Sequence, residues 1–259
     1  MKKERIGSRT VSGAFFNVIM MVWLLLAAAP LFIMADVPDW VWDLRPHSGH
    51  PQFLAFCPRL LNRNSETLEC LRRASEQASK YMGVRVRAKR LYEKKSLFTK
   101  YRSWVRVDFS EGLAEELQKN IDVVREYRDD RGTFLLVRLA TERMHQQADR
   151  FSLPADYAGW VEGGLEIPGY RVAVGAAKRR RLISDSMESA DRNALVELAL
   201  QISSEIESEL ADTVESERTG FGYETVDEEL SGFYILARAK SEDGRYYYSL
   251  AVCPKAANP

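Results

Sequence analysis

The amino-acid sequence predicts an α+β protein built from two tandem two-layer domains, each a long amphipathic helix packed on a mainly antiparallel sheet, behind an N-terminal hydrophobic signal helix. Three observations support this prediction: one long uncharged stretch near the N-terminus, a set of features that recurs after 120 residues, and a change from helical to strand periodicity in each copy. The chain has 259 residues, of which 46% are hydrophobic and 29% charged, which is usual for a globular protein of about two domains.

The first 35 residues have the pattern of a secretory signal. Four basic residues and one acidic residue precede Ala14–Ala35, a run of 22 residues without a charged side chain. A basic flank, an apolar helix and a small residue at its end are typical of an export signal. The helix-breaking Pro30 and the small Ala35 favour cleavage at the end of the run. At 1.5 Å per residue the run is about 33 Å long, so an uncleaved membrane anchor is the alternative.

The overall charge argues against one class of function. The chain has 37 basic and 37 acidic residues, whereas dedicated nucleic-acid-binding proteins are usually basic. Removal of residues 1–35 takes away four basic residues and one acidic residue and leaves a net charge of −3. We therefore expect no nucleic acid among the partners.

The most informative pattern is an internal repeat. Trp40-Val41 has a counterpart in Trp160-Val161, and each pair is followed by a loop that contains proline and glycine. Each loop leads into a short β-like run, Phe53–Cys57 in the first half and Arg171–Gly175 in the second. We interpret Trp40 and Trp160 as structural anchors at the end of each layer, since a buried tryptophan is a large apolar group.

A helix follows the first strand in both halves. Apolar or small residues recur there at spacings of three and four, which places one stripe along each helix. The two stripes consist of Leu68, Leu71, Ser75, Ala78 and Met82, and of Met187, Ala190, Ala194, Leu198 and Ile202. The alanines would let each helix approach a sheet closely.

After each helix the pattern becomes strand-like. Val84–Ala88 alternates with a period of two, as expected for a strand with one buried face. Ser204–Ser208 alternates in the same way, although a continued helix is the competing interpretation because the stretch is rich in glutamate.

Each half ends in a predicted hairpin. The hairpins span Ile121–Ala140 and Phe233–Val252, and Gly132 and Gly244 supply positive φ in their turns. The order of tryptophan loop, strand, helix, strand and hairpin thus occurs twice, which predicts a tandem duplication. The predicted domains are residues 36–145 and 156–254, with a junction near 145–155 that lacks periodicity.

The halves differ between the strand after the helix and the hairpin. The first half has a possible extra strand, Lys100–Phe109, and then a short helix, Glu111–Asn120. The second half instead has a stretch with Gly220 and Gly222, which we predict to be a flexible loop. Loops of this kind are where two copies would diverge toward different partners.

The three cysteines are the first candidates for chemistry. An exported protein permits disulfides, and Cys57 and Cys70 are the more local pair, so a disulfide between them is predicted. Three buried, reduced cysteines, with Cys253 as the third, are the alternative. The spacing that zinc sites or thioredoxin-like sites require is not present.

The three histidines give no catalytic pattern. His47 and His50 stand in a loop-like stretch, and His145 stands in a predicted polar helix. The sequence contains no nucleophile motif of the G-x-S-x-G type and no glycine-rich phosphate loop. We therefore predict no catalytic residues, no metal and no cofactor.

One run of positive charge is a candidate binding site. It consists of Lys178, Arg179, Arg180 and Arg181. Such a run would suit anionic lipid headgroups or acidic glycan polymers. The alternative is a solvated start of a helix.

The second half resembles a known family. Trp160-Val161, the run Tyr170–Ala177 and the helix Ala190–Ser203 are similar to the LPP-twenty lipoprotein family, which shares its domain type with the N-terminal part of flagellar assembly protein T. The resemblance covers residues 156–254. It implies an exported, envelope-associated, non-enzymatic α/β domain and supplies no catalytic residues.

The chain departs from the pattern of that family at several positions. In the first copy Cys57 stands in the place of Gly175, and Gln77-Ala78-Ser79 stands in the place of Glu197-Leu198-Ala199. No cysteine follows the N-terminal apolar run closely, so the lipid attachment that the family name implies is not supported here.

The sequence therefore predicts an exported, non-catalytic protein of the bacterial envelope, either periplasmic or membrane-anchored and facing the periplasm. It would act as a structural or interaction module, with envelope proteins, further copies of itself, or anionic lipid or glycan surfaces as partners. Two alternatives stay open. One is an assembly factor of the flagellar basal body, and the other is an envelope hydrolase that uses His47, His50 and nearby carboxylates.

Overall fold

A computed structural model describes most of the chain after the N-terminal segment. The described residues are 37–46, 49–95, 98–139, 158–162, 165–210 and 221–255. The predicted signal or anchor at 1–35 and the predicted junction at 145–155 lie outside them. Among the described residues, no helix is long and apolar enough to cross a bilayer. The described residues from Pro38 onward belong to one compact unit.

Four helices and nine strands follow a short 3-10 turn at Asp39–Val41 in the described part of the chain. The helices are α1 (Arg63–Met82), α2 (Glu111–Gln118), α3 (Ala158–Val161) and α4 (Ile183–Leu210). The strands are β1 (Gln52–Pro58), β2 (Val84–Lys95), β3 (Phe98–Phe109), β4 (Ile121–Arg128), β5 (Gly132–Leu139), β6 (Tyr170–Lys178), β7 (Phe221–Leu230), β8 (Tyr234–Lys240) and β9 (Tyr246–Pro254).

The strands form three small antiparallel sheets. Their strand orders are β1-β5-β4, β3-β2-β7 and β6-β9-β8. The predicted α+β class and the predicted hairpins β4–β5 and β8–β9 are therefore confirmed. Gly132 and Gly244 have positive φ values of 150° and 65°, as their turns require.

The first and the last of these sheets have the same construction. In each, the first strand pairs with the second strand of the hairpin, and the first hairpin strand forms the outer edge. Each outer strand carries a bulge at the matching place, between Val123 and Arg125 in β4 and between Ile235 and Ala237 in β8. The two helices that follow β1 and β6 begin 120 residues apart, at Arg63 and Ile183.

Helix α1 packs on the first sheet through small residues. Cys70, Ala74 and Ala78 are fully buried, and Tyr81 extends the same face. The predicted stripe was wrong at its ends, because Leu68 and Met82 are exposed. The reason is that the small side chains let the helix approach the sheet closely, which turns the larger ones toward solvent.

Helix α4 also packs on its sheet through small residues, and here the predicted stripe is confirmed from Met187 through Leu198. A side chain at Gly175 on β6 would overlap the backbone of Ala190 and Ala194. Gly175 therefore permits the close approach.

The offset of 120 residues corrects one assignment made from sequence. The last residues of β1 and β6 are Pro58 and Lys178, and both stand five residues before a helix. The counterpart of Gly175 is therefore Ala55. Cys57 corresponds instead to Ala177.

Two further predictions in the second half were wrong. Ser204–Ser208 lies inside α4, so the competing interpretation of a continued helix is correct. The stretch predicted to be a flexible loop contains strand β7. This strand pairs with β2 of the first half from Val84↔Leu230 to Glu93↔Phe221, and such a long-range partner leaves no local signal in the sequence.

The two halves also interlock at a second place. The segment after the 3-10 turn lies along β8, where the Leu44 N–H donates to Leu236 at 3.1 Å and the Arg238 N–H donates to Trp42 at 2.7 Å. The buried hydroxyl of Tyr234 bonds the carbonyl oxygen of Leu44 and accepts the N–H of Gln52 at 3.2 Å. The rings of Phe53, Tyr81 and Tyr234 meet edge to face in the core between these elements.

Replacement of Gly175→Ala is expected to lower the free energy of unfolding by about 3 kcal/mol, because the new methyl group has no space against α4. The measurement is the urea midpoint of the two proteins. Gly83→Ala is the matched control, since its backbone is extended and nothing lies within 4 Å of a side chain there. Equal midpoints for both variants would contradict the close packing.

Candidate functional site

Two equivalent loops connect the first strand to the helix in each half. The Arg59 N–H donates to the carbonyl of Arg131 at 2.9 Å, and the Arg179 N–H donates to the carbonyl of Arg245 at 2.8 Å. Each loop is thereby tied to the turn of its hairpin. The two donors, Arg59 and Arg179, are 120 residues apart and therefore occupy matching positions in the two repeats.

In each half, a side chain of the first helical turn accepts a hydrogen bond from the backbone of the loop. The Leu60 N–H donates to Glu66 at 3.1 Å, and the Arg180 N–H donates to Ser186 at 2.8 Å. Burial alone would raise the pKa of the Glu66 carboxyl. Hydrogen bonds from Thr133, Leu60 and Arg63 stabilise its charged form and outweigh burial, so the pKa is lowered. The same position thus uses a buried carboxylate in one half and a hydroxyl in the other.

Arginines of both loop regions act on one tyrosine, Arg179 from the second loop and Arg131 from the turn that holds the first. Tyr247 on β9 is buried, and burial raises the pKa of its hydroxyl, while Arg179 and Arg131 both act to lower it. Both arginines are therefore near one ring, although they belong to different halves. We call this region the basic end and define it by residues 59–61 and 178–182.

The basic end combines positive charge with exposed leucines. Its cations are exposed and have no ion-pair partner in the described part of the chain: Arg59, Lys178, Arg179, Arg180 and Arg181. By contrast, the arginines of the hairpin turns are paired, Arg131 with Asp129 and Arg245 with Asp243. Large apolar side chains stand beside the cations: Leu60, Leu61 and Leu182 are all exposed, and Leu61 is fully so.

The predicted run Lys178–Arg181 is therefore brought together with residues that the sequence argument missed. Arg59 and Leu61 stand alone in the sequence, so neither forms a run of its own. The repeat offset of 120 residues would have identified them, because Arg59 corresponds to Arg179 and Leu61 corresponds to Arg181.

A second candidate is a cavity of about 300 Å³ between α1 and α4. An ion pair of 2.9 Å between Arg73 and Glu188 joins the two helices at its wall. Burial lowers the pKa of Lys80, whose amine lies 5.0 Å from the ring centroid of Phe109. Basic and acidic side chains both line the cavity, so its wall carries no single sign of charge.

Next to this cavity lies a buried polar cluster. Arg238 donates to both oxygens of Asp191 at 3.1 and 2.7 Å, and the Ser249 hydroxyl donates to the same carboxylate at 2.5 Å. All three side chains are at least nine-tenths buried. The cluster joins α4 to β8 and β9 and is structural, because its charges neutralise one another.

The other predicted candidates occupy separate places. Trp160 is buried within the core, and Trp40 is half-buried in the 3-10 turn. His47 and His145 lie outside the described residues. Within the described ranges, no group of three histidine, cysteine or acidic side chains is arranged to hold a metal ion.

The cysteines Cys57, Cys70 and Cys253 are free thiols and are buried. The predicted disulfide between Cys57 and Cys70 is therefore not formed in the structure. The Cys70 thiol instead donates to the carbonyl oxygen of Thr133 at 3.3 Å. Burial raises the pKa of Cys70 to about 12 and that of Cys253 to about 11.

No family model, curated protein or solved structure matches the chain. The resemblance to the LPP-twenty family stays a prediction from sequence.

Replacement of Asp191→Ala is expected to lower the free energy of unfolding by about 3–5 kcal/mol, because it leaves the Arg238 charge buried without a partner. The measurement is urea denaturation. Asp227→Ala is the control, since it breaks an exposed ion pair with Arg85 and should change the midpoint little. Similar losses in both variants would contradict a structural role for the buried cluster.

The folded protein is expected to react with iodoacetamide at none of its three cysteines at about pH 8, because burial keeps the thiols protonated. Mass spectrometry after labelling checks this. Unfolding in guanidinium chloride should then expose three reactive thiols. A single reactive thiol after unfolding, located at Cys253 by mass spectrometry, would indicate that Cys57 and Cys70 are bridged.

Proposed function

We propose that this chain is an exported, non-catalytic envelope protein that acts as an interaction module, and that its basic end docks on the anionic surface of a membrane. The observation that carries the proposal is the cluster of five exposed, unpaired cations beside three exposed leucines. Basic side chains are attracted to anionic headgroups, and apolar side chains next to them enter the interfacial layer. The basic flank and apolar run at the N-terminus support export.

The proposed module consists of two repeats of one ancestral unit, residues 36–145 and 156–254. The shared strand order of the two sheets, the bulge at matching positions and the matching loop ties support this origin. Duplication placed two copies of the strand-to-helix loop at one end. The proposed docking surface is larger than a single repeat would offer.

The proposed absence of catalysis is supported by what the buried polar groups do. Glu66 holds the first loop and the hairpin strand β5 through Leu60 and Thr133. Asp191 holds β8 and β9 through Arg238 and Ser249. These carboxylates are engaged in fixing the fold.

Replacement of Lys178→Ser, Arg179→Ser, Arg180→Ser and Arg181→Ser is expected to weaken binding to vesicles that contain phosphatidylglycerol by more than about a hundredfold. Each basic side chain near an anionic leaflet contributes about 1 kcal/mol. Residues 36–259 are used, so that the N-terminal apolar run does not drive binding. Co-sedimentation measures the affinity, which should also fall as salt is added.

A control variant removes the same charge elsewhere, with Lys119→Ser, Arg125→Ser, Arg192→Ser and Lys255→Ser, and should bind nearly as the original chain does. Leu61→Ser should weaken binding without changing its salt dependence. Equal binding by all variants would overturn the proposal. Binding to a soluble acidic glycan but not to vesicles would assign the same cations to a glycan instead.

A further inference from the structure

Part of the outer edge of the last sheet is covered by a short segment of the same chain, which pairs with it at one residue, Asp43. This segment, Trp42–Leu44, attaches at the bulge of β8 through the Leu44 N–H and the Arg238 N–H, at 3.1 and 2.7 Å. Asp43 lies opposite Ala237 in this pairing. The bulge of β8 is thus a docking point for a strand.

Strand β4 presents the same docking point at the edge of the first sheet. Leu136 pairs with Arg125 just after the bulge of β4, as Leu250 pairs with Ala237 after the bulge of β8. In the described part of the chain, no strand pairs with the outer edge of β4. By the geometry of β8, the carbonyl of Val124 and the N–H of Glu126 face outward there.

The side chains at the bulge of β4 are more exposed than those at the bulge of β8. Val123 and Val124 are exposed by 48% and 40%, whereas their counterparts Ile235 and Leu236 are buried. Arg125 is exposed and has no ion pair in the described residues. The edge therefore offers two apolar groups and one free positive charge.

We propose that the outer edge of β4 binds an extended segment of a partner protein in which an acidic residue stands between two apolar residues. The covering segment on β8 supplies the template, since it reads Trp-Asp-Leu and places Asp43 opposite the counterpart of Arg125. Backbone hydrogen bonds at Val124 and Glu126 give affinity, and a carboxylate opposite Arg125 gives selectivity. The site is separate from the cations and leucines of the basic end.

An edge that merely resists aggregation is the competing explanation. Charges and bulges commonly protect edge strands from pairing with other chains. Such an edge binds no peptide strand, so the two explanations differ in a measurable way.

The test uses a fluorescent peptide with the sequence of residues 38–46 and the full chain in detergent, with binding followed by anisotropy. The edge of β8 is already covered at its bulge, so the expected site is β4. Glu126→Pro removes the outward N–H and should abolish binding, because proline is tolerated on an edge strand but cannot donate. Unchanged circular dichroism and protected cysteines show that the variant is folded.

A charge exchange tests the selectivity. Arg125→Glu should weaken the peptide about fivefold, the effect of one opposite-charge pair across strands, and a peptide carrying Asp43→Lys should restore the affinity. Lys119→Glu changes the overall charge equally but leaves the β4 bulge unchanged, and should have little effect. No binding by the original chain, or equal binding by Glu126→Pro, would overturn the proposal. Self-association lost in Glu126→Pro without peptide binding would overturn it too, in favour of a second copy as occupant.

Discussion

The antiparallel pairing of β2 with β7 is the contact on which the arrangement of the two halves depends. Strand β2 lies between β3 and β7, and β7 pairs with β2 alone among the described strands. Helix α4 packs on β7 as well as on its own sheet. Its buried residues therefore extend around more than one face, because the helix fills the space between elements of both halves.

This interlocking explains which parts of the fold can be predicted from sequence. The strand β1, the helices α1 and α4 and the two hairpins follow from local periodicity and from turn glycines such as Gly132 and Gly244. The strand β7 does not, because its stability comes from a partner far away in the chain. Exposed Leu68 shows a second limit, since the size of a side chain does not reveal which helical face lies closest to the sheet.

The candidate site follows the same division. The run Lys178–Arg181 is visible in the sequence because four charges stand together. Arg59 and Leu61 become part of the site only through the neighbouring positions of two equivalent loops. Glu66 and Ser186 occupy matching positions, and each accepts a hydrogen bond from the backbone of the preceding loop. The residue type differs because the two copies share a backbone arrangement but have different neighbouring side chains.

The long-range pairing of β2 also bears on how the chain acquires its fold. Arg85 and Asp227, which meet across this ladder, are 142 residues apart in the sequence. Contacts between such distant residues slow folding, because a large loop must close before they form. A chain that emerges N-terminus first must hold β2 without its second neighbour until nearly all of the polypeptide has appeared. During that interval the edge of β2 is without its partner strand and is open to pairing with other chains.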